Sequence, residues 1–412
     1  MNTGARMRVL ALAPACDDTD VGEAWCAHQW VQGLAERHDV TLLTMHKRGR
    51  LPPSRQLRGV EVIEWADLPL VHHFERLNSM LKPGYLRYYS NARRWLRSSL
   101  ASGRRFDVAH QFTPIALRYP SPAAGLGIPL VVGPLAGSLQ TPSAFLPECG
   151  SAPWYTRLRR IDAVRLRRDP LLRRTFADAR VVIGVAPYIR SLLADIPIRR
   201  FEVMSELGIH DLPAARDRQR PTGGLRLAHV GRVVRTKGLR DAVRAVGALR
   251  DVPGITLESA GDGEDLEACR REASALGVAD RITFHGRIPR ESVEDLYGRA
   301  DAFIFPSFRE PSGGVIFESL RRGLPVITTD LGGPAHVVDD SCGIRVPATT
   351  PEDLAQRLAN AAAGLARNPE RLRRLSDGAV ARMQAIGLWP SKIEWLSDLY
   401  RDALSTQTTI EV

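Results

Sequence analysis

The sequence predicts an α/β protein with two units, each built on a parallel sheet. Short apolar stretches that fit buried strands alternate with amphipathic stretches that fit helices, and this alternation is typical of parallel strands joined by helical crossovers. It stops at residues 212–224, a polar segment rich in residues that break helices and strands, and starts again at Leu225. The 412 residues suffice for two or three domains, and the 44% hydrophobic content is ordinary for a globular protein.

The first half contains six predicted strands, which are short apolar runs bounded by polar or turn-forming residues. They are residues 8–13, 40–44, 60–64, 107–110, 129–133 and 179–185. A helix is predicted from Glu23 to Arg37, because its apolar residues recur at helical spacing along one face.

The second half begins with a predicted strand at Leu225–Val230, which breaks at Gly231 and is followed by a helical pattern after Gly238. Further strands are predicted near residues 256–260, 282–285, 302–305, 325–329 and 343–346. A last helical run covers residues 391–404. The expected domains are residues 1–210 and 211–388, followed by a C-terminal helical segment at residues 389–412.

The five cysteines argue against two kinds of site. Their number is odd, they are widely scattered and no two form a Cys-x-x-Cys pair, so neither a disulfide framework nor a zinc site is expected. Because no disulfide framework is expected, we predict that the protein resides in a reducing, cytoplasmic compartment. No run approaches the roughly 18 uninterrupted apolar residues that span a membrane. The apolar run at residues 7–14 resembles the core of a signal peptide, but its short length and acidic continuation favour a first buried strand.

Residues 151–180 carry a local excess of positive charge. The chain has a formal net charge of +11, and residues 151–180 contain nine arginines against three aspartates. Between Arg157 and Arg174, apolar residues interleave with the arginines, as in an amphipathic basic helix at a membrane surface. Two interpretations stay open: peripheral contact with the anionic inner face of a membrane, or a solvated face in an arginine-rich protein. Nucleic acid is not an expected partner, because base-stacking aromatics and a recognised binding module are absent.

The most informative motif is the segment Glu310-Pro-Ser-Gly-Gly-Val-Ile-Phe-Glu318. Its two acids are about two helical turns apart, so both are expected on one side of a helix that begins near Gly313. The glycines let backbone N–H groups approach a ligand at the helix N-terminus, where the helix dipole favours an anion such as phosphate. Carboxylates suit the hydroxyls of a sugar or a ribose. The motif therefore fits a sugar linked to a phosphate, although the spacing alone fits a surface helix equally well.

Two cations, Arg232 and Lys237, lie in the predicted loop between the strand at Leu225–Val230 and the next helix. In open α/β sheets, ligands bind beyond the carboxyl ends of the strands. Both side chains can therefore reach a diphosphate at this edge of the sheet. Taken singly, either cation fits a solvated surface charge better.

Several short motifs, in their order and spacing, resemble the large retaining glycosyltransferase family that includes bacterial mannosyl- and glucosyltransferases and sucrose and glycogen synthases. The resemblance covers most of residues 225–346. Its motifs are Val230-Gly-Arg232, Lys237-Gly238, Gly261-Asp-Gly263, Phe284-His-Gly286, Asp301-Ala-Phe-Ile-Phe-Pro-Ser307, the segment 310–318, Gly323-Leu-Pro-Val-Ile327 and Asp330-Leu-Gly-Gly333. The resemblance implies the GT-B fold, in which two Rossmann-like domains with parallel sheets face each other across a cleft and the C-terminal helix returns to the first domain.

The resemblance also implies roles for individual residues. Arg232, Lys237 and Glu310 would be the catalytic residues, with the two cations on the donor diphosphate and Glu310 on the hydroxyls of the donor sugar. Glu318 would hold the ribose. The other expected donor-binding residues, which border the sugar, the phosphates or the base, are Gly22, Gly231, Arg287, Ile288, Ser312, Gly313, Gly314 and Val315.

The first half departs from the family where the acceptor is expected to bind. The loop at residues 14–23 keeps one glycine, Gly22, where many relatives have a pair. The loop also holds four acids, Asp17, Asp18, Asp20 and Glu23, and Asp18-Thr-Asp20 resembles the metal-binding acidic triplet of another glycosyltransferase fold. Because the donor site supplies its own cations, neither a metal nor a cofactor is expected. A solvated acidic loop or contacts to an amino-bearing acceptor explain these acids. Of the usual His-x-His only His110 is present, either as an acceptor-facing or sugar-facing residue or as a structural one, and the loop at residues 132–142 is expected to shape the acceptor pocket.

The expected function is a retaining, hexosyltransferase-type reaction. A sugar would move from a nucleotide-sugar donor to a hydroxyl acceptor, which could be a glycan, a lipid-linked carrier or a small metabolite. Two alternatives remain: a sugar-nucleotide epimerase with the same fold, and a non-catalytic homologue that only binds nucleotide-sugar.

Overall fold

The computed structural model of the chain describes residues 5–47, 49–67, 82, 84–150, 159–213 and 224–405. The chain divides into two compact units. The first consists of Met1–Ser138, Pro153–Glu206 and Trp389–Val412, and the second of Leu139–Ala152 and Leu207–Leu388. This division differs from the sequence-based boundary at residue 210, because residues 207–210 and the segment after Ser138 group with the second unit.

The first unit contains a seven-stranded parallel sheet with the order β3-β2-β1-β4-β5-β6-β7. Its strands are β1 (Arg8–Leu12), β2 (Asp39–His46), β3 (Val60–Ala66), β4 (Val108–Gln111), β5 (Leu130–Leu135), β6 (Val181–Gly184) and β7 (Phe201–Val203). Its described helices are α1 (Glu23–Ala35), α2 (Pro53–Gln56), α3 (Tyr85–Ala101), α4 (Arg159–Arg168), α5 (Pro170–Asp178), α6 (Tyr188–Leu192) and, at the C-terminal end, α14 (Trp389–Ser405). The six predicted strands are confirmed. The short edge strand β7 escaped prediction because its three residues are only partly buried.

The second unit contains a six-stranded parallel sheet with the order β10-β9-β8-β11-β12-β13. Its strands are β8 (Leu225–Val230), β9 (Ile255–Ala260), β10 (Ile282–Gly286), β11 (Ala302–Phe305), β12 (Val326–Thr329) and β13 (Gly343–Val346). Its described helices are α7 (Leu239–Ala248), α8 (Leu266–Ala275), α9 (Arg290–Arg299), α10 (Gly314–Arg321), α11 (Gly332–Val337), α12 (Pro351–Ala366) and α13 (Pro369–Ile386). Within the described ranges, no helix of either unit is long and apolar enough to cross a membrane.

Both faces of each sheet are covered by apolar side chains. In β1, Leu10 and Leu12 join one buried cluster while Val9 and Ala11 join another, as the two-residue period of a strand requires. Burial on both faces explains why the strands read as uninterrupted apolar runs. In each unit the strand order reverses beside the first strand, β1 or β8. Ligands of such folds bind at the carboxyl ends of the strands at this reversal.

The C-terminal helix α14 completes the core of the first unit. The rings of Trp389 and Trp30 lie 5.1 Å apart between centroids. Ile393 packs so tightly against α1 that a Cβ at Gly33 would lie 2.7 Å from its Cγ1 atom. The buried ammonium of Lys392 donates to the Ser205 carbonyl oxygen at 2.8 Å, and burial lowers the pKa of this lysine to about 7. The helix thus returns to the first unit, as the resemblance implies.

For His110, the contacts favour the structural one of the two interpretations that the sequence left open. Its Nε2–H donates to the Gly133 carbonyl oxygen at 2.7 Å, so Nδ1 is the unprotonated nitrogen and accepts from the Tyr400 hydroxyl at 2.5 Å. The ring stacks on Phe112 with 3.8 Å between centroids. Burial lowers the pKa of His110 to about 3, so the ring is neutral. With no exposed surface and both nitrogens bonded, His110 does not face an acceptor or a sugar but fastens α14 to β4 and β5.

The structural role of His110 predicts how its replacement affects stability. In the His110→Phe variant, the buried hydrogen bonds of the ring with the Gly133 carbonyl oxygen and the Tyr400 hydroxyl are lost. We expect the free energy of unfolding at pH 7, measured by urea denaturation, to fall by about 2–4 kcal/mol. Tyr400→Phe is the matched control. It removes only one of the two hydrogen bonds, so its free energy of unfolding should fall by less.

The stability difference between the wild type and His110→Phe should depend on pH. The folded-state pKa of about 3 lies below the ordinary value of 6.5, so the contribution of His110 is fully present above pH 6.5. It is lost as the pH falls from 6.5 towards 3, because the unfolded chain binds the proton first. The difference in unfolding free energy between the wild type and His110→Phe should therefore shrink over this range. A difference that stays constant down to pH 4 would contradict the buried, neutral ring.

Candidate functional site

The candidate site of the second unit lies at the carboxyl ends of β8, β9 and β11, where the loops that follow these strands meet. Glycines occur where the loop backbones touch. A Cβ at Gly238 would overlap the Pro306 carbonyl oxygen, and a Cβ at Gly261 would overlap the Gly231 carbonyl oxygen. Gly238 and Gly261 also have positive φ angles of 80° and 137°. The loops can come together only because these residues have no side chains.

Of the two predicted cations, Lys237 is held in place and Arg232 is not. Lys237 forms an ion pair with Glu310, and its ammonium lies 5.9 Å from the centre of the Phe305 ring. Its side chain remains 14% exposed, so part of the charge is accessible. Arg232 is exposed, and the described part of the chain offers its side chain no hydrogen bond or ion pair. Arg232 can therefore turn towards an anion without breaking an existing contact.

Glu310 organises the loop that precedes α10. One carboxylate oxygen pairs with Lys237, and the other accepts from the backbone N–H groups of Ser312 at 3.3 Å and Gly313 at 3.2 Å. Its own carbonyl oxygen accepts from the Gly333 N–H at 3.0 Å. Because α10 begins at Gly314, Glu310 lies before the helix and not on it. The expectation that both acids of the motif share one helix side is therefore wrong.

The first turn of α10 presents backbone N–H groups. Gly313 precedes the helix with a φ of 87°, a conformation that reverses the chain direction at the end of the loop. Gly314 and Val315 are the first two helical residues, whose N–H groups have no intrahelical partner. The motif thus combines two N–H groups held by Glu310 with two that can donate to an anion.

Glu318 lies one turn further along α10 and is half-buried. The Tyr297 hydroxyl of α9 donates to it at 3.2 Å. Burial raises the pKa of Glu318, while the hydrogen bond from Tyr297 acts in the opposite direction. Tyr297 was not a predicted site residue. Its only sequence signal is a position in an amphipathic helix, which does not distinguish it from an ordinary core residue.

Arg287 and Ile288 follow β10 at the edge of the sheet. The Gly286 carbonyl oxygen accepts from the Gly261 N–H at 2.8 Å, which ties this end of β10 to the loop after β9. Arg287 is exposed, whereas Ile288 packs against the same apolar cluster as Val315. The structure therefore brings these two predicted positions, Gly231 and the segment 310–318 into one set of neighbouring loops.

Gly22 belongs to the first unit, where it precedes α1 with a φ of 67° and the space beside its Cα is open. The acids of its loop are partly engaged: Asp17 accepts from Thr19, and Asp20 pairs with Lys47 at 2.5 Å. Across the described ranges, no group of three or more His, Cys, Asp or Glu side chains is placed to hold a metal ion. Part of the negative charge of this loop is therefore compensated within the protein, by Lys47 at Asp20.

Two family models match the chain. The model described as "Glycosyl transferase 4-like domain" matches residues 21–205, and the model described as "Glycosyl transferases group 1" matches residues 214–379. The second match contains the loops after β8, β9, β10 and β11, and hence the candidate site.

Curated relatives match parts of the chain. A D-inositol 3-phosphate glycosyltransferase of Segniliparus rotundus is 32% identical over 184 residues, which is 43% of this chain and 40% of the relative. A 2-deoxystreptamine N-acetyl-D-glucosaminyltransferase of Streptomyces fradiae is 29% identical over 229 residues, 54% of this chain and 51% of the relative. The chain thus matches about half or less of the length of these relatives.

Solved structures share the fold over nearly the whole chain. Sucrose-phosphate synthase from Thermosynechococcus elongatus superposes with a TM-score of 0.64 at 19% identity, covering 97% of this chain and 100% of that one. HepE of Anabaena, solved in complex with UDP and glucose, has a TM-score of 0.57 at 17% identity and covers 96% of this chain and 99% of its own.

The two matched segments together span residues 21–205 and 214–379, and the solved structures share the fold across both units. The chain belongs to the group 1 glycosyltransferases, with the GT-B fold.

Proposed function

We propose that the protein transfers a sugar from a nucleoside diphosphate sugar to a hydroxyl acceptor, with retention of the anomeric configuration. The observation that carries this proposal is the Lys237–Glu310 ion pair beside the first turn of α10. A cation, a carboxylate and helix N–H groups within one set of loops match the chemistry of a diphosphate joined to a sugar. Glu318, one turn further along the same helix, offers an acceptor for the ribose hydroxyls.

The reaction exchanges one bond at the anomeric carbon for another. The bond from this carbon to the diphosphate oxygen breaks, a bond to the acceptor oxygen forms on the same face of the sugar, and the acceptor proton passes to the departing diphosphate. Negative charge grows on the diphosphate as its bond loosens. Lys237, Arg232 and the N–H groups at the start of α10 stabilise that charge, and the loss of one such donor commonly raises the barrier by about 3–4 kcal/mol.

Glu310 orients the donor sugar in this proposal. Its carboxylate is already held by Lys237 and by the N–H groups of Ser312 and Gly313. A carboxylate fixed in this way loses little conformational freedom when sugar hydroxyls donate to it, so binding energy is spent on positioning the anomeric carbon. Because the diphosphate takes the acceptor proton, Glu310 is not required as a base.

The proposed donor class has support from HepE, a protein of the same fold that was solved with UDP and glucose. The proposed acceptor class has support from the names of the two curated relatives, which contain an inositol phosphate and an aminocyclitol. Both are rings with several hydroxyl groups. A glycan, a lipid-linked carrier or a small metabolite would present the same reacting group.

Replacement of Lys237 tests the donor site. We expect Lys237→Met to lower turnover by about 100-fold or more, because the charge that faces the departing diphosphate is lost. The measurement supplies UDP-, GDP- and ADP-sugars together with a panel of hydroxyl acceptors, and follows products by mass spectrometry. Arg299→Met is the matched control: it removes a cation that pairs with Glu258 at 2.6 Å, outside the proposed donor contacts, and should keep turnover within about 2-fold.

The same assay separates the proposed function from its alternatives. Transfer gives an acceptor whose mass increases by one sugar residue together with released nucleoside diphosphate. Isomerisation of the nucleotide-sugar without an acceptor would instead identify an epimerase. Binding without turnover across the panel would identify a non-catalytic homologue. Full activity of Lys237→Met would contradict the donor-site assignment even if transfer itself is observed.

We also propose that the basic segment between Arg157 and Arg174 makes a peripheral contact with an anionic membrane. Residues 151–158 lie outside the described residues, and so do the side chains of residues 159–161 and 163. In the described remainder, Val164 and Leu171 are each 50% exposed beside exposed arginines. Several arginines pair with aspartates, including Arg165 with Asp169 at 2.7 Å. We therefore expect two contributions to membrane binding: insertion of the exposed apolar side chains and a moderate electrostatic attraction of the arginines to anionic lipids.

Vesicle binding tests this surface. We expect the protein to sediment with phosphatidylglycerol-containing vesicles more than with pure phosphatidylcholine vesicles, and less so as salt rises. A Val164→Ser, Leu171→Ser double variant should bind several-fold less, because it removes the exposed apolar residues without changing the charge. Leu51→Ser, at a residue that is 49% exposed, is the control and should bind like the wild type. Equal binding by the double variant would contradict the contact.

A further inference from the structure

A short segment, residues 139–150, lies between two stretches of the first unit in sequence but belongs to the second unit. It includes a 3₁₀ turn at Ser143–Glu148. Phe145 is fully buried in the main core of the second unit, and its ring lies 4.3 Å from that of Phe308 between centroids. Phe308 belongs to the loop that leads to Glu310. The segment is therefore part of the core beneath the candidate site.

Glu148 joins this segment to the loop after β8. Its carboxylate accepts from Arg235 Nε at 2.8 Å and from Arg244 Nη2 at 2.8 Å. Burial opposes its ionisation, but the hydrogen bonds from Arg244 and Arg235 prevail and lower the pKa of Glu148 to about 2. Glu148 is therefore charged at any physiological pH.

Arg235 is only 5% exposed and depends on this carboxylate. Its Nη atoms donate to both oxygens of Asp241, at 2.6 and 2.8 Å, while Nε donates to Glu148. The guanidinium carbon lies 5.1 Å from the centre of the Phe308 ring and 5.5 Å from that of Phe145. A cation this deeply buried is stable only when its donors are satisfied.

The same short turn carries Arg235 inward and Lys237 towards Glu310. The Lys237 N–H donates to the Val234 carbonyl oxygen at 2.8 Å, and the Ser307 hydroxyl donates to the Thr236 carbonyl oxygen at 2.8 Å. These two hydrogen bonds close the backbone of the turn and join it to the loop after β11. Anchoring Arg235 therefore sets the direction in which Lys237 points.

The segment also contacts the other half of the ion pair. Arg309, next to Glu310 in sequence, donates to the Thr141 hydroxyl at 3.1 Å. Leu139 lies so close to α11 that a Cβ at Gly332 would be 2.9 Å from its Cδ1 atom. One stretch of chain thus supports the loop of Lys237 through Glu148 and the loop of Glu310 through Thr141.

We propose that residues 139–150 position the donor-binding loops, with Glu148 acting on Lys237 through Arg235. The proposal rests on the function proposed above and adds a residue that does not itself touch the substrate. Its physical basis is preorganisation: a cation held in its binding position costs less to align with a diphosphate than one on a mobile turn. Loss of the Glu148 charge leaves Arg235 with one carboxylate and allows the turn to shift.

The test compares Glu148→Gln with Glu272→Gln. Glu272 of α8 accepts from Arg244 at 2.7 Å, as Glu148 also does, and has no contact with Arg235. Both changes therefore remove one negative charge beside Arg244, but only the first weakens Arg235. We expect Glu148→Gln to bind UDP, GDP or ADP about 10-fold more weakly by calorimetry, a loss of about 1.4 kcal/mol. Glu272→Gln should stay within about 2-fold of the wild type.

Hydrogen exchange measured without nucleotide gives a second readout. The amides of residues 234–238 should exchange several-fold faster in Glu148→Gln and at the wild-type rate in Glu272→Gln. Equal nucleotide affinity or equal exchange in the two variants would overturn the positioning role. If the wild type binds none of the three nucleotides, the proposed donor class fails, while the exchange measurement still decides whether Glu148 holds the turn.

Discussion

The ion pair between Lys237 and Glu310 joins the loops after β8 and β11, which carry the two charged residues at the centre of the proposed chemistry. The two residues follow β8 and β11, and because these strands are parallel neighbours, their loops emerge at the same edge of the sheet. Glycines let the loop backbones meet there without steric overlap. The carboxylate then holds the two N–H groups before α10, so the helix begins at a defined place. The contact between Lys237 and Glu310 therefore sets the positions of the cation, the carboxylate and the N-terminus of α10 relative to one another.

Burial explains why the three cations of the loop after β8 differ in role. Arg232 is exposed and without a side-chain partner in the described ranges, so it is available to a ligand. Arg235 is buried, and a buried guanidinium must be matched by carboxylates, here Asp241 and Glu148. Lys237 lies between these extremes, paired but partly accessible. The same rule applies to His110, since a fully buried imidazole that bonds a carbonyl and a hydroxyl stays neutral and serves packing instead of binding.

All strands except β7, three of the helices and the second-unit motifs were predictable because they depend on local patterns. A buried parallel strand needs a run of apolar residues, and a loop that approaches another backbone needs glycine, so both can be read from the sequence. Three features could not be predicted. Glu310 lies outside α10 because the helix begins only at Gly314, after the positive φ of 87° at Gly313. His110 turns to the core because Tyr400, from the far end of the chain, supplies its second hydrogen bond. Tyr297 donates to Glu318, and Glu148 bonds to Arg235 in the loop that carries Lys237, both from segments that carry no recognisable motif.

The sequence by itself determined the fold class, the two sheets and the family, and it predicted which residues form the candidate donor site. These features depend on local patterns, namely apolar runs in buried strands and glycines where loop backbones approach each other. Only the tertiary structure decided which charged and polar side chains are available to a ligand. That decision depends on partners distant in sequence: Lys237 meets Glu310 across 73 positions, Arg235 meets Glu148 across 87 and His110 meets Tyr400 across 290. Long-range contacts of this kind set burial and hydrogen bonding, and these in turn determine whether a charged or polar group binds a substrate or supports the protein.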